Sequence, residues 1–176
     1  KNNDFGTSQF NSSNAYSGEY PNSVLQQKME EIANGSLSEY TDDIVARNEL
    51  DNIIGDSPAD QLLWPLSVSE TDKVSEEIRA FEAEYWTRSA TGTSFFVPRV
   101  IASSGAVINK KSNDFVAVRP ALYVKAEAVG APKVTVPLTG GKVYFGSQDW
   151  YIVGMGDTGL VPGPSKTVTL FADSNI

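Results

Sequence analysis

Hydrophobic and polar positions change their rhythm about halfway along the chain. In residues 22–34, Leu25, Met29, Ile32 and Ala33 recur at helical spacing behind Asn22 or Ser23, with Gly35 as a stop, which predicts a helix. The stretch "QLLWPLSVSE" (61–70) ends its apolar run at Ser67 and places Glu70 three residues on, the spacing of a capping box. A further helix is expected there, because Val74, Ile78, Phe81 and Tyr85 fall at i, i+4, i+7 and i+11 on one stripe. Residues 44–54 suit a helix or a strand equally, and "GDSPAD" (55–60) reads as a turn.

After residue 85 the period shortens to two. Thr, Val, Ile, Phe and Tyr dominate between Gly and Pro, giving expected strands over 86–89, 95–101, 106–109, 115–125, 134–138, 143–145, 150–153 and 167–172. "SSG" (103–105) reads as a hairpin turn. Residues 1–21 are turn-rich, and their spaced aromatics suit a loop pinned to a core. Helices first and strands later indicate an α+β fold, with helices packed on a twisted antiparallel sheet.

Two arginines break the apolar pattern. Arg88 lies in "YWTRS" (85–89) beside Trp86, and Arg119 lies in "VAVRPALYV" (116–124), where neither face of the alternation is polar. A strand covered on both faces buries its guanidinium, which then needs a carboxylate and backbone carbonyls around it. Glu70 is the first choice of partner for Arg119 and Asp60 the second. Pro120 cannot donate to a ladder, which puts an edge or a bulge there. Both arginines are read as bracing the fold, together with Glu70, Trp86 and Trp150.

Composition narrows the chemistry. The 176 residues contain no cysteine and no histidine, which removes thiolate and imidazole metal sites and every relay built on histidine. The net charge of −8 argues against nucleic-acid binding, and no apolar run is long enough for membrane insertion as a helix. Residues 1–90 hold 17 acids against 6 bases and residues 91–176 hold 5 against 8, which fits solvated helix faces in the first half.

The pieces "LLWPLSVSE", "YWTRS", "SSGAV" and "VAVRPALYV" together resemble an uncharacterised bacterial domain family whose members are mostly secreted or surface-attached, often in tandem. The resemblance spans about residues 60–125 and extends, more distantly, to the C-type-lectin-like fold shared with formylglycine-generating enzymes. "GKVYFGSQDWYIVG" and "TVTLFADSNI" resemble the start of such a domain, yet stand last here. Either the order is circularly permuted or the chain spans the junction of a tandem array. The expectation is a single domain over 1–176 in which 134–176 completes the core in permuted order.

The resemblance implies a non-enzymatic module, extracellular or at the cell surface, binding a glycan or a surface protein through loops. Tyr16, Tyr20, Phe95 and Phe96 are the aromatic candidates for that contact. The oxidation of the formylglycine-generating type uses cysteines and is not carried over. A glycoside or other hydrolase is the alternative, with acids sought among Asp42, Asp43, Glu76, Glu77, Glu82 and Glu84. A structural repeat of a surface fibre is the third reading. No cofactor is expected except calcium, for which Asp51, Asp56 and Asp60 supply hard oxygen ligands without the spacing of an EF-hand loop. "GMGDTG" (154–159) precedes a Pro-rich stretch rather than a helix, so it is a loop and not a dinucleotide fingerprint.

Overall fold

A computed structural model describes residues 5–12, 18–47, 61–92, 96–129, 141–159 and 161–173. Helix α1 (Val24–Asn34) begins where Ser23 accepts a hydrogen bond from the Gln26 amide at 3.0 Å, and it buries Leu25, Met29, Ile32 and Ala33. Its C-terminal Gly35 returns an N–H to the Glu31 carbonyl. Helix α2 (Val68–Thr71) carries the full capping box: the Ser67 side chain accepts from the Glu70 amide, and the Glu70 carboxylate accepts from the Ser67 amide.

The apolar stripe from Val74 to Tyr85 does not form one helix. Ser75 adopts extended dihedrals (φ −60°, ψ 154°) and starts a separate one-turn helix, α3 (Glu76–Arg79), and Ala80 is extended again. Val74, Ile78 and Tyr85 are buried nonetheless, each by a different local conformation, so the helical spacing survives without the helix.

Among the described residues the strands in chain order are β1 (Thr7–Ser8), β2 (Ile44–Val45), β3 (Trp64–Pro65), β4 (Tyr85–Thr91), β5 (Val97–Ile101), β6 (Val107–Asn109), β7 (Val116–Ala117), β8 (Pro120–Lys125), β9 (Lys142–Phe145), β10 (Gln148–Met155), β11 (Thr158–Gly159) and β12 (Thr167–Ala172). They form two sheets where the sequence pattern led us to expect one. The first has the order β1-β7-β4-β5-β6; the second has β11-β10-β12-β8-β2, with β3 added to β8 and β9 to β10. Pairing is antiparallel except between β4 and β7. The molecule is thus a mixed α/β protein with few helices and two antiparallel-rich sheets. The strand expected over 134–138 lies outside the described residues.

The expected strand 115–125 is divided between the sheets. Phe115 is 70% exposed, β7 joins the first sheet, and β8 joins the second after Val118 and Arg119. Pro120 opens β8 opposite Pro65 of β3, so the missing N–H falls at the first position of a strand flanked on both sides. Interruption before the proline, not an edge position, accommodates it.

Strands β9 to β12 belong to the second sheet by direct pairing: β12 runs antiparallel to β8 from Thr167↔Lys125 to Phe171↔Ala121. The β9–β10 turn places Gly146 and Ser147 both at positive φ (58° and 61°), the twist that a two-residue hairpin needs. Trp86 of the first sheet and Trp150 of the second are both buried, in one cluster with Phe5, Phe10 and Leu25. Phe5 packs on Trp150 with ring centroids 5.8 Å apart, and Phe10 meets Trp86 edge-on at 5.4 Å. The N-terminal loop is therefore pinned by its aromatic side chains.

Candidate functional site

Both arginines are 1% exposed, and they hold the two sheets together in different ways. Arg88, on β4, donates from Nη1 to the Pro65 carbonyl of β3 at 2.9 Å and to the Glu70 carboxylate. Arg47 reaches the other oxygen of Glu70 at 3.0 Å and lies over the Trp64 ring, 5.1 Å from its centroid. Burial alone would raise the Glu70 pKa. The charge and hydrogen bond of Arg88, the charge of Arg47 and the Ser67 amide outweigh it and hold the pKa at about 2.

Arg119 is not the partner of Glu70; Arg88 and Arg47 take that carboxylate. The reason is topological: the chain crosses between sheets at Val118–Arg119, which directs the Arg119 side chain to β12 rather than to α2. Its Nε donates to the Ala172 carbonyl at 2.8 Å. Its guanidinium lies against the rings of Phe171, Phe81 and Tyr85, at 4.0, 4.7 and 5.0 Å from their centroids. Asp60, the second choice, lies outside the described residues. Nη1 of Arg119 has no hydrogen-bond partner among the described residues.

This geometry changes what a substitution should do. Arg119→Met fills a similar volume without burying a charge, so unfolding free energy should change by no more than about 1.5 kcal/mol. Arg119→Ala leaves a cavity and should cost about 2–5 kcal/mol. Urea denaturation of both variants checks this; equal losses would show that the charge itself holds the sheets.

Of the four aromatic candidates for ligand contact, Tyr20 must be withdrawn. It is fully buried, its hydroxyl donates to Gln61 Oε1 at 2.9 Å, and burial drives its pKa upward. The turn-forming Pro21, Asn22 and Ser23 between it and α1 disguised a core side chain. Phe96 is half-buried, while Tyr16 and Phe95 lie outside the described residues. So do Asp51, Asp56 and Asp60. No group of three or more acidic side chains suited to a metal occurs among the described residues.

The structure assembles a different site. A cleft of about 350 Å³ is lined by Ala80, Phe81, Glu82, Ser103, Tyr151 and Asp173. Phe81 and Glu82 come from the segment after α3, Ser103 from the β5–β6 turn, and Tyr151 from β10. Cross-strand pairing places Lys142, Tyr151 and Phe171 directly opposite one another, and so on one face of the second sheet. Asp173, just past β12, donates its amide to the Asp149 carbonyl, while its own carbonyl accepts from Gln148 Nε2 at 3.1 Å. Its carboxylate binds Lys142 Nζ, which also lies 4.8 Å from the Tyr151 ring centroid. The hydrogen bond to Asp173 is the leading reason that the Lys142 pKa is raised.

A larger groove of about 520 Å³ runs between residues 125–127 and 164–167, with Val45 at its side, and contains no aromatic ring. Of these two, the smaller cleft is the one lined by aromatic rings. Sequence reasoning named Glu82 among candidate acids but missed Phe81, Tyr151 and Asp173 as a group, because Phe81 lies 70 residues before Tyr151 and 92 before Asp173. No family model, curated protein or solved structure matches the chain. Among the described residues no helix is long and apolar enough to cross a membrane.

Proposed function

We propose that the chain is a non-enzymatic module that binds a glycan in the cleft between Phe81 and Tyr151. The observation that carries this reading is two aromatic rings and two carboxylates, Glu82 and Asp173, lining one cleft. Sugar rings present apolar C–H faces to aromatic side chains, and their hydroxyls donate to carboxylates. Loop-borne contacts on a scaffold of paired strands fit how binding residues are usually deployed. The resemblance over residues 60–125 supports an extracellular or cell-surface setting and a C-type-lectin-like ancestry for the scaffold.

Glycoside hydrolysis is the second reading, favoured by the same pair of carboxylates. Against it, Asp173 is engaged by Lys142, which leaves that carboxylate paired rather than poised to donate a proton. Screening on a glycan array followed by calorimetry tests the proposal. Tyr151→Ala should weaken the best ligand by about tenfold or more, as expected for an aromatic anchor. Glu82→Gln, at an exposed position, should weaken it without lowering the melting temperature. A folded parent chain that binds no glycan would refute the binding reading, and shortening of a bound oligosaccharide on incubation would favour the hydrolase.

A further inference from the structure

Two of the residues that line the cleft already hold an ammonium group. Lys142 Nζ is held by the Asp173 carboxylate and the Tyr151 ring, both of which also line the cleft. A carboxylate beside an aromatic face is the arrangement that recognises an alkylammonium ion, which it attracts by charge and by the ring quadrupole. The Lys142 side chain is 49% exposed, so nothing buries it in that position and a competing cation can displace it. Glu82 adds a second carboxylate to the wall. The raised pKa of Lys142 agrees that its surroundings favour a positive charge. The buried Arg119 is not part of the cleft wall; its guanidinium lies against three ring faces and the Ala172 carbonyl, and its charge also interacts with Tyr151 and Asp173.

Resting on the glycan-binding reading, we propose that the cleft selects sugars with a free amino group, and that Lys142 is an intramolecular occupant which such a sugar displaces. The protonated amine of a hexosamine takes the place of Nζ between Asp173 and Tyr151, and its ring packs on Phe81. An N-acetylated sugar lacks that charge and cannot compete for the same atoms.

Calorimetry with a glucosamine tetramer and an N-acetylglucosamine tetramer, at about pH 6 where an amine is protonated, tests this. The amino form should bind about tenfold more tightly, in line with a partly desolvated cation–π contact and a charge-assisted hydrogen bond. Lys142→Met should tighten it further by removing the occupant. Because a chain of net charge −8 attracts any cation, Tyr151→Leu serves as control: it keeps the charge and removes the ring. Loss of binding in Tyr151→Leu supports the site, whereas unchanged binding means diffuse attraction and overturns it. Equal affinity for the two tetramers, or weaker binding by Lys142→Met, overturns the amine selectivity and leaves glycan binding standing. Binding of neither tetramer, nor of any other glycan, by a cooperatively folded parent chain overturns both.

Discussion

Alanine in place of Glu70 should lower the unfolding free energy by about 3–5 kcal/mol, because it strips a buried guanidinium of its carboxylate. Glu70 is 4% exposed and Arg88 1%, so water cannot replace the lost partner. The same carboxylate receives the Ser67 amide at 2.9 Å and Arg47 at 3.0 Å, so one substitution also unmakes the α2 capping box and the tie to residue 47. Glu70→Gln should recover part of the loss, since it keeps an acceptor and the shape. The effect must depend on pH with a definite sign. A carboxylate whose folded pKa lies near 2, below its ordinary 4.5, stabilises the fold fully above about pH 5 and loses that contribution as pH falls toward 2. Urea midpoints of parent and Glu70→Ala chains should therefore converge between pH 5 and pH 2. A gap that stays constant over that range would show that shape, not charge, makes Glu70 important.

Local features of this fold were legible because their causes are local. The box at Ser67 and Glu70 depends on a spacing of three residues and on side-chain chemistry that any reader of the chain can see. The α1 face and the 103–105 turn are of the same kind: Gly105 donates to the Ala102 carbonyl, and Ala102 to that of Ala106. The partner of Arg119 was not legible. Burial of its guanidinium followed from the two-sided apolar pattern, but the choice between Glu70 and the aromatic rings depends on which sheet each strand joins. That choice is made at Val118–Arg119, where Pro120 marked an interruption but nothing in the pattern said that one apolar run serves two sheets.

The stripe from Val74 to Tyr85 failed for a related reason. Spacing reports that side chains share a buried environment, and it cannot separate one helix from two short turns and a strand. Ser75, with Glu76 and Glu77 behind it, was the available signal for a second start, since Ser before acids favours a helix N-terminus. The Phe81–Tyr151–Asp173 cleft had no such signal. Its residues become neighbours only once β12 has paired with β10 and the post-α3 segment has packed its Phe81 ring on Arg119 and Tyr85, and no period in the chain encodes that.

Ending the chain at residue 133 should abolish cooperative unfolding altogether. The removed part contains β9 to β12, and β12 sits between β10 and β8 in the second sheet, so its loss exposes the full pairing edge of β8. It also takes Phe145, Trp150, Ile152, Val153, Val161, Val168, Leu170 and Phe171 out of the core. At roughly 1.5–3 kcal/mol for each buried apolar side chain, the deficit is comparable to or larger than the whole net stability of about 5–15 kcal/mol that a domain of this size possesses. Phe5 would lose Trp150, and Arg119 would lose both Phe171 and the Ala172 carbonyl, leaving a buried cation with half of its surroundings gone. The truncated chain should aggregate, or show a broad melt with lost near-ultraviolet circular dichroism and strong binding of a hydrophobic dye. Supplying residues 134–176 as a separate chain should restore a cooperative melt if the strands can pair in trans, because β12 contacts β8 by side chains and ladder bonds that need no covalent link. A truncated chain that melts sharply at the parental temperature would mean that the first sheet, with α1 and α2, forms a complete core without the second.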